Sequence, residues 1–325
     1  MLAAASARAG ALGFIAAGHL DIREKLREQV EIFRAEAPDA PLAIGFIGFS
    51  SMRDGRLDSV EAAMKEHRPD VVQFFAPAVV GENIKLAQSL GALVVAQVGS
   101  ERDASEALLA GADCLVAQGR EAGGHGLRAP LGSSTLPLAA RVVSLVQEAA
   151  APTPSGRKAT VLAAGGIVDG RGLAAALALG CDGAVFGTRL WASLEAFGHG
   201  SFKQALAQAG PDDVARTTAF DQVQNTYRAS PWPPPYDSSG ALLNDLARSW
   251  LDRPEDLARE LARDGSDLAA DHRRAEELGH AAGSCVFAGE GVGDIAEVEA
   301  AEVVLRRAES EARAQIERLQ RCLVV

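Results

Sequence analysis

Short apolar segments alternate with amphipathic segments along the chain from Leu2 to Arg189. The apolar segments are five to eight residues long and apolar on both faces, which is typical of strands in a buried parallel sheet. We predict seven strands, at residues 11–17, 42–49, 71–75, 92–98, 114–118, 160–164 and 183–187. The segments between them have helical spacing, so the sequence predicts an α/β fold in which strands and helices alternate.

One unit of this alternation occurs twice, as "ALLAGADCLVAQG" and as "AALALGCDGAVFG". In each unit a helix ends at a glycine, Gly111 or Gly180, that turns the chain into the next strand. This repetition favours a TIM (β/α)8-type barrel over a doubly wound sheet, although seven strands are visible and such a barrel needs eight. Residues 2–9 are predicted to be a helix, so the expected first strand would precede Met1 unless the barrel closes in another way.

The alternation stops after Arg189. A Pro-rich segment follows at residues 230–240, and helical spacing returns at residues 242–250, 254–264 and 295–319. The last of these segments carries interleaved opposite charges, as a solvated helix face does. We therefore predict a barrel over residues 1–229, with its first strand absent, and a connector with helices packing on the barrel over residues 230–325.

The net charge and the cysteine content exclude several classes of binding partner. The 325 residues carry a formal net charge of −11, which argues against nucleic acids and anionic membranes because both select for clustered Lys and Arg. Four widely spaced cysteines give no zinc or dithiol motif, and no metal site is predicted. No apolar run is long enough to span a bilayer, and we expect a cytoplasmic protein that acts on small molecules.

Candidate chemistry lies at the ends of the last three predicted barrel strands. In a TIM barrel, the loops after the strands form the functional rim, and the loops after strands seven and eight commonly bind phosphate. The segments "AAGGIVDGRG" and "VFGTR" lie there, with Gly165 and Gly166 open to close approach by an anion and Thr188 offering a hydroxyl. Asp169 and Arg171 are predicted to cap the following helix.

His125 lies in the glycine-rich segment "QGREAGGHG", on the same predicted rim. A histidine there can accept or donate a proton near neutral pH, whereas a histidine in a solvent-exposed turn would do neither for a substrate. The two neighbouring phosphate-type loops favour the acid/base role. The other histidines have no such neighbours and are predicted to be structural or on the surface: His19, His67, His199, His272 and His280.

Three segments together resemble the nitronate monooxygenases, once called 2-nitropropane dioxygenases: "VAQGREAGGHG" at residues 116–126, "VLAAGGIVDGRGLAAALALGCDGAVFGTR" at residues 161–189, and "FAGEGVGDI" at residues 287–295. The resemblance runs from Leu2 to about Ala312, and the order and spacing of the first two segments are specific to this family and its flavin relatives. It implies a TIM barrel that holds non-covalent FMN and oxidises alkyl nitronates with O2 to a carbonyl compound and nitrite.

The resemblance also implies roles for particular residues. His125 matches the family's active-site histidine, which in some members removes the α-proton of a neutral nitroalkane. The implied FMN-binding residues are Gln118, Gly123, Gly165, Gly166, Val185, Phe186, Gly187 and Thr188. Of these, Gly166 and residues 185–188 match the loops that hold the flavin phosphate, and Gly165 lies beside them.

Two alternatives remain open at this stage. The first is an FMN-dependent NAD(P)H enoyl reductase, a related type of enzyme with similar glycine loops. The second is a non-catalytic barrel that has lost flavin binding, because the chain departs from the family pattern in three places: it begins after the family's first strand and turn, it has no asparagine near Gly45, and its nearest arginine, Arg128, follows His125 by three residues.

Overall fold

A computed structural model describes residues 1–18, 24–51, 56–80, 82–149, 152–228, 231–263 and 267–322. These ranges contain ten strands: β1 (Phe14–Ala16), β2 (Ala43–Ile47), β3 (Val71–Phe75), β4 (Leu93–Val98), β5 (Cys114–Gln118), β6 (Gly124–Gly126), β7 (Thr160–Ala164), β8 (Gly183–Val185), β9 (Val214–Thr217) and β10 (Ser238–Leu242).

The same ranges contain fifteen α-helices and a 3-10 helix at Glu290–Asp294: α1 (Leu2–Arg8), α2 (Glu24–Glu36), α3 (Gly48–Ser51), α4 (Arg56–His67), α5 (Asn83–Ser89), α6 (Glu101–Leu109), α7 (Thr135–Glu148), α8 (Gly170–Ala178), α9 (Thr188–Trp191), α10 (Gly200–Gln208), α11 (Ala219–Gln224), α12 (Asp245–Trp250), α13 (Pro254–Leu261), α14 (Leu268–Leu278) and α15 (Ala301–Cys322).

Seven strands form one parallel sheet in the order β1-β2-β3-β4-β5-β7-β8, which confirms the predicted TIM-type barrel. All seven predicted strands are present, and β3, β5 and β7 have the predicted bounds. Within the described residues β1 and β8 are not paired with each other, so the curled sheet is open between them. The residues of β8 are accordingly half-buried, whereas those of the middle strands are mostly buried.

The strands are apolar on both faces because each face has its own core. Outward side chains such as Ile44, Val94 and Leu115 pack beneath the helices in the main core. Inward side chains, including Val71 and Val95, form a smaller core inside the barrel. A strand buried on both sides reads as a continuous apolar run, which is why the sequence located these strands well.

The repeated unit has a structural cause. Gly111 and Gly180 have φ of +97° and +93°, a backbone region that glycine adopts most readily. The aspartates that follow them lie at the start of the next strand. The Oδ2 atoms of Asp113 and Asp182 accept hydrogen bonds from Val94 N at 2.9 Å and Val161 N at 2.8 Å. Each unit therefore joins its new strand to the preceding strand.

A second sheet, which the sequence did not predict, joins the segment of His125 to the chain beyond Arg189. Strands β6, β10 and β9 form this antiparallel sheet with β10 in the centre. β10 begins at the end of the predicted Pro-rich segment, continues to Leu242, where a helix was predicted, and is buried along its whole length. Its residues are Ser, Ser, Gly, Ala and Leu, which have little strand propensity apart from packing, so the pattern gave no strand signal. The domain boundary at residue 229 stays a prediction.

Helix α15 begins at Ala301, later than predicted, because the preceding segment pairs with the chain after α9. Leu194 N donates to the carbonyl of Glu299 at 2.9 Å, and the Glu195 carboxylate accepts from Ala301 N at 2.9 Å at the start of the helix. Ala301, Val304, Ala308 and Ala312 are buried on one face. That face packs against α8 and α1, while the interleaved charges face away from the core, as predicted.

The other histidines were predicted to be structural or on the surface, and the four cysteines to form no disulfide, zinc or dithiol site. His67 and His272 are buried, His199 and His280 are exposed, and His19 lies outside the described residues. The four cysteines are free thiols. Among the described helices, none combines the length and apolar character that crossing a bilayer would require.

Candidate active site

A cavity of about 390 Å³ lies at the carboxyl ends of the barrel strands. It is lined by seven of the eight residues that the sequence nominated for FMN: Gln118, Gly123, Gly165, Gly166, Val185, Gly187 and Thr188. Phe186, the eighth, is not among the lining residues that the structure describes. Further lining residues that the sequence did not nominate include Gln97, Trp191 and three residues of the third motif, Phe287, Gly289 and Gly291.

One end of the cavity is formed by the loops after β7 and β8. Gly165 and Gly166 have φ of +118° and +70°, so the backbone turns sharply there without side chains. A Cβ at Gly165 would lie 2.5 Å from Thr135 Oγ1, which also excludes larger residues. Thr188 Oγ1 accepts from Gly289 N at 2.9 Å, so the loop after β8 is joined to the third motif.

Gly187 borders open space at this end of the cavity. Its φ of −100° is not left-handed, and a Cβ there would meet no atom within 4 Å. Packing around it therefore does not require glycine. Because Gly187 lines the cavity, the effect of having glycine here is to leave that space free. Exposed peptide groups and a hydroxyl around open space suit a phosphate.

The segment between β5 and β6 is held in place from several sides. The Glu121 carboxylate accepts from both the backbone N and Oγ1 of Thr135 at 2.8 Å, at the start of α7. Glu290 N donates to the carbonyl of Glu121 at 2.9 Å. At Gly123 a Cβ would lie 2.7 Å from the backbone of Ala288 and Gly289, so only glycine lets the two segments approach this closely.

His125 lies on β6, directly beside the cavity. Its neighbour Gly124 and the ring of Phe287, whose centroid is 5.4 Å from that of His125, line the cavity. His125 Nε2 lies 2.6 Å from Oδ1 of Asp221, a residue of α11 that is 1% exposed. The other carboxylate oxygen accepts from Ser239 Oγ at 3.1 Å. Since an ionised Asp221 can only accept hydrogen bonds, its oxygen favours the His125 tautomer with the proton on Nε2.

Trp232 covers one face of His125. The two rings are stacked with centroids 3.7 Å apart and planes 8° apart, and the His125 side chain is only 8% exposed. Asn225 holds the tryptophan backbone, because its Oδ1 accepts from Trp232 N at 3.2 Å. On the other side of the segment, Arg128 pairs with Asp237 and donates from its backbone N to Pro235 O. His125 is thus held in one ring orientation.

A half-buried cation lies near this pair. Arg216 on β9 donates to the carbonyls of Arg120, Ala122 and Ser238 at 2.7 to 3.1 Å. Burial lowers the pKa of Arg216 to about 10, although the nearby Asp221 carboxylate acts in the opposite direction. Arg216 remains charged at neutral pH. It therefore joins the segment before His125 to β10 and contributes positive charge to an acidic protein near the site.

The structure places His125 on β6 beside the cavity, although His125 is not among the described lining residues, and its role stays a prediction. Sequence reasoning did not identify Asp221, Ser239 or Trp232. Asp221 lies 96 positions after His125 in the chain, in a helix of six residues that no periodicity marks. The one available signal was the tryptophan within the Pro-rich segment, because a large apolar side chain is unusual in a solvated linker.

Comparison with known proteins decides the family. Residues 49–230 match the sequence profile of the family described as nitronate monooxygenase. The nitronate monooxygenase npaC of Metarhizium robertsii is 32% identical over 332 residues, covering 96% of this chain and 87% of that protein. The chain belongs to the nitronate monooxygenase family. This membership confirms the resemblance drawn from the three motifs, and it makes the protein an oxidoreductase.

Solved structures agree with this fold. FabK from Thermotoga maritima superimposes with a TM-score of 0.74 at 26% identity, covering 99% of this chain and 91% of that one. The nitroalkane oxidase from Streptomyces ansochromogenes gives 0.75 at 24% identity, covering 98% and 93%, and shows the fold alone. In this member of the nitronate monooxygenase family, the arginine nearest after His125 is Arg128, three residues later. Its guanidinium pairs with Asp237.

Proposed function

We propose that this chain binds FMN in the cavity and oxidises alkyl nitronates, and also neutral nitroalkanes, with O2 to a carbonyl compound and nitrite. The observation that carries the proposal is a glycine-walled cavity beside a buried His125–Asp221 pair, in a chain of the nitronate monooxygenase family. The small molecules involved are the nitronate or nitroalkane and O2.

The residues present fit FMN. Gly165, Gly166, Gly187 and Thr188 would hold the phosphate, because they surround open space with peptide groups and a hydroxyl. Val185, the last residue of β8, and Phe186 directly precede Gly187 and Thr188. Gln118 and Gly123, which line the same cavity, would contact the ring. When bound, the flavin supplies the electron chemistry, and the protein binds, orients and excludes water.

His125 would act on the proton of a neutral nitroalkane. With Nε2–H donated to Asp221, the acceptor of the imidazole is Nδ1, which would take the α-proton. The resulting imidazolium is stabilised by the buried carboxylate, whose position Ser239 fixes. For a nitronate, which has already lost this proton, the protonated form of His125 would donate a hydrogen bond from Nδ1–H to the anionic oxygens. Trp232 and Phe287 would exclude water from this proton transfer.

Substitution of the pair tests this role. In His125→Asn we expect FMN to remain bound, while kcat for a neutral nitroalkane falls by about 10²- to 10⁴-fold, the usual contribution of general acid–base catalysis. Asp221→Asn should lower the same rate by a smaller factor. Turnover of the preformed nitronate should fall less in both, because no proton has to be removed.

The control for these variants is Asp256→Asn, on α13, whose carboxylate pairs with Arg259 away from the cavity. It should leave turnover unchanged. Equal rates with the neutral nitroalkane in wild type and His125→Asn, with flavin bound in both, would exclude His125 as the base.

The similarity to FabK supports a second candidate function, that of an FMN-dependent NAD(P)H enoyl reductase. Rapid reduction of bound flavin by NAD(P)H, without oxidation of nitronates, would establish that function instead. A purified protein that shows no visible flavin absorption and takes up no added FMN would point to a non-catalytic barrel. A cytoplasmic location stays a prediction.

A further inference from the structure

Three glutamines face the inside of the barrel on three neighbouring strands. Gln73 lies in the middle of β3, and Gln97 and Gln118 lie near the carboxyl ends of β4 and β5. Gln97 and Gln118 line the cavity. Gln118 is the register partner of Ala164, the last residue of β7 before the glycine loop, and Gln97 lies one strand further from that loop. The inner wall of the cavity therefore carries amide groups on two adjacent strands.

The hydrogen bonds among these glutamines leave one amide donor and one amide acceptor for a ligand in the cavity. Gln73 Nε2 donates to Gln97 Oε1 at 2.6 Å, which leaves the Nε2 of Gln97 as a donor toward the cavity. Gln118 Nε2 donates to the carbonyl of His125 at 3.0 Å, which leaves Oε1 of Gln118 as an acceptor. A donor and an acceptor on adjacent strands are complementary to a ring edge that carries a carbonyl beside an N–H.

Gly45 explains how Gln73 reaches this position. It is the direct partner of Gln73 in the β2–β3 register, and a Cβ on it would already lie 3.8 Å from Gln73 Cβ. A larger side chain at residue 45 would compete with the glutamine for the same space inside the barrel. With glycine there, Gln73 can hold Gln97 in one orientation.

A purely structural role accounts poorly for this arrangement. The rest of the inner layer is apolar, with Val71 and Val95 directly below the two glutamines on the same faces of β3 and β4. Apolar side chains would fill the barrel without the cost of desolvating two amides. Gln97 is only half-buried and lines the cavity, so a ligand there can reach its amide.

We propose that Gln97, held by Gln73, donates a hydrogen bond to the ring of the bound flavin, with Gln118 as the neighbouring acceptor. This inference rests on the proposed FMN site and adds residues to it. Reduced flavin carries negative charge on its ring, so a donor at Gln97 stabilises the reduced form more than the oxidised form. Gln97 therefore raises the reduction potential of the flavin.

The test measures FMN itself rather than turnover. Dissociation constants of oxidised and reduced FMN, and the midpoint potential, are determined for wild type, Gln97→Met and Gln97→Glu. In Gln97→Met we expect the reduced form to lose about tenfold more affinity than the oxidised form, the effect of one hydrogen bond to a charged group. That ratio lowers the midpoint potential of a two-electron couple by about 30 mV. At alkaline pH, Gln97→Glu should lower it further, because it places a carboxylate in the same position.

Gln88→Met is the matched control. Gln88 also uses its amide in the interior, donating to Gly111 O at 2.7 Å, but it lies on α5 outside the barrel. It should leave both dissociation constants and the potential unchanged. A wild-type protein that binds no FMN would overturn the FMN site and this inference together. If wild type binds FMN and folded Gln97→Met and Gln97→Glu keep its potential, only the role of Gln97 is overturned.

Discussion

At the scale of single residues, the two kinds of glycine in the cavity have different causes. Gly165 is required by its positive φ and by contact with Thr135, so its effect on a ligand cannot be separated from its effect on folding. Gly187 has a negative φ and no neighbour within 4 Å of a Cβ, so a side chain there would enter the open space of the cavity. The sequence shows both as glycine in a loop and cannot separate them.

Gly187→Ala tests this distinction. We expect FMN to bind at least tenfold more weakly, because the added methyl occupies the space proposed for the phosphate, while the stability of the apoprotein stays within about 0.5 kcal/mol, as for a substitution without steric conflict. Fluorescence titration with FMN and urea unfolding of the apoprotein measure the two quantities.

Gly200→Ala is the control, since a Cβ at Gly200 also meets nothing within 4 Å and this residue, the first of α10, is not among the lining residues described for the cavity. Its affinity for FMN should equal that of wild type. Unchanged affinity in Gly187→Ala would show that no ligand group occupies this space.

At the scale of elements, close packing of α8 on α15 joins the barrel to the C-terminal helix. A Cβ at Gly170, the first residue of α8, would come within 2.5 Å of the Ala308 carbonyl oxygen and even closer to Ala312 N. Gly170 N also donates to the Glu311 carboxylate at 3.0 Å. The small residues of α15 thus let the two helices approach at the start of α8, just after the glycine loop of the cavity.

Gly170→Ala should therefore destabilise the protein by about 1 to 3 kcal/mol, as overpacking of a tight contact does. Urea unfolding followed by circular dichroism gives the free energy. Gly200→Ala is again the comparison, because it makes the same change at the first residue of a helix without a close neighbour, and it should change stability little. Equal stability in the two variants would mean that α15 moves away from α8 without cost.

At the scale of the whole molecule, buried neutral histidines make stability depend on pH. Burial lowers the pKa of both His67 and His272 below the usual value of about 6.5. His272 packs beside Phe220, and its Nδ1 lies 2.9 Å from the Tyr227 hydroxyl. The unfolded chain therefore binds more protons than the folded chain once the pH falls below about 6.5.

The free energy of unfolding should be greatest above pH 7 and should fall as the pH decreases through 6.5 toward the lowered pKa values of these histidines. Urea unfolding at pH 5.5 and pH 7.5 measures this decrease. In His272→Gln the decrease should be smaller, since one of the two histidines is gone. His280→Gln, at an exposed position, should retain the full decrease. An undiminished decrease in His272→Gln would show that His272 does not contribute.

The sequence by itself determined the parallel sheet and the glycine turns that lead into its strands. Each strand is buried on both faces, so its apolar run is visible without knowledge of its neighbours, as at β3, β5 and β7. Gly111 and Gly180 likewise mark turns through a local backbone requirement. These are properties of one segment at a time, and a single sequence records them.

Only the tertiary structure decided what surrounds His125. Asp221, Ser239 and Trp232 come from α11, from β10 and from the segment between them, and they reach β6 because the antiparallel sheet folds back over the barrel rim. Gln97 became a candidate only when its register beside Gln73 was known. Contacts between distant segments depend on how whole elements pack. Small residues such as those of β10 have too little strand propensity for the sequence to predict that packing.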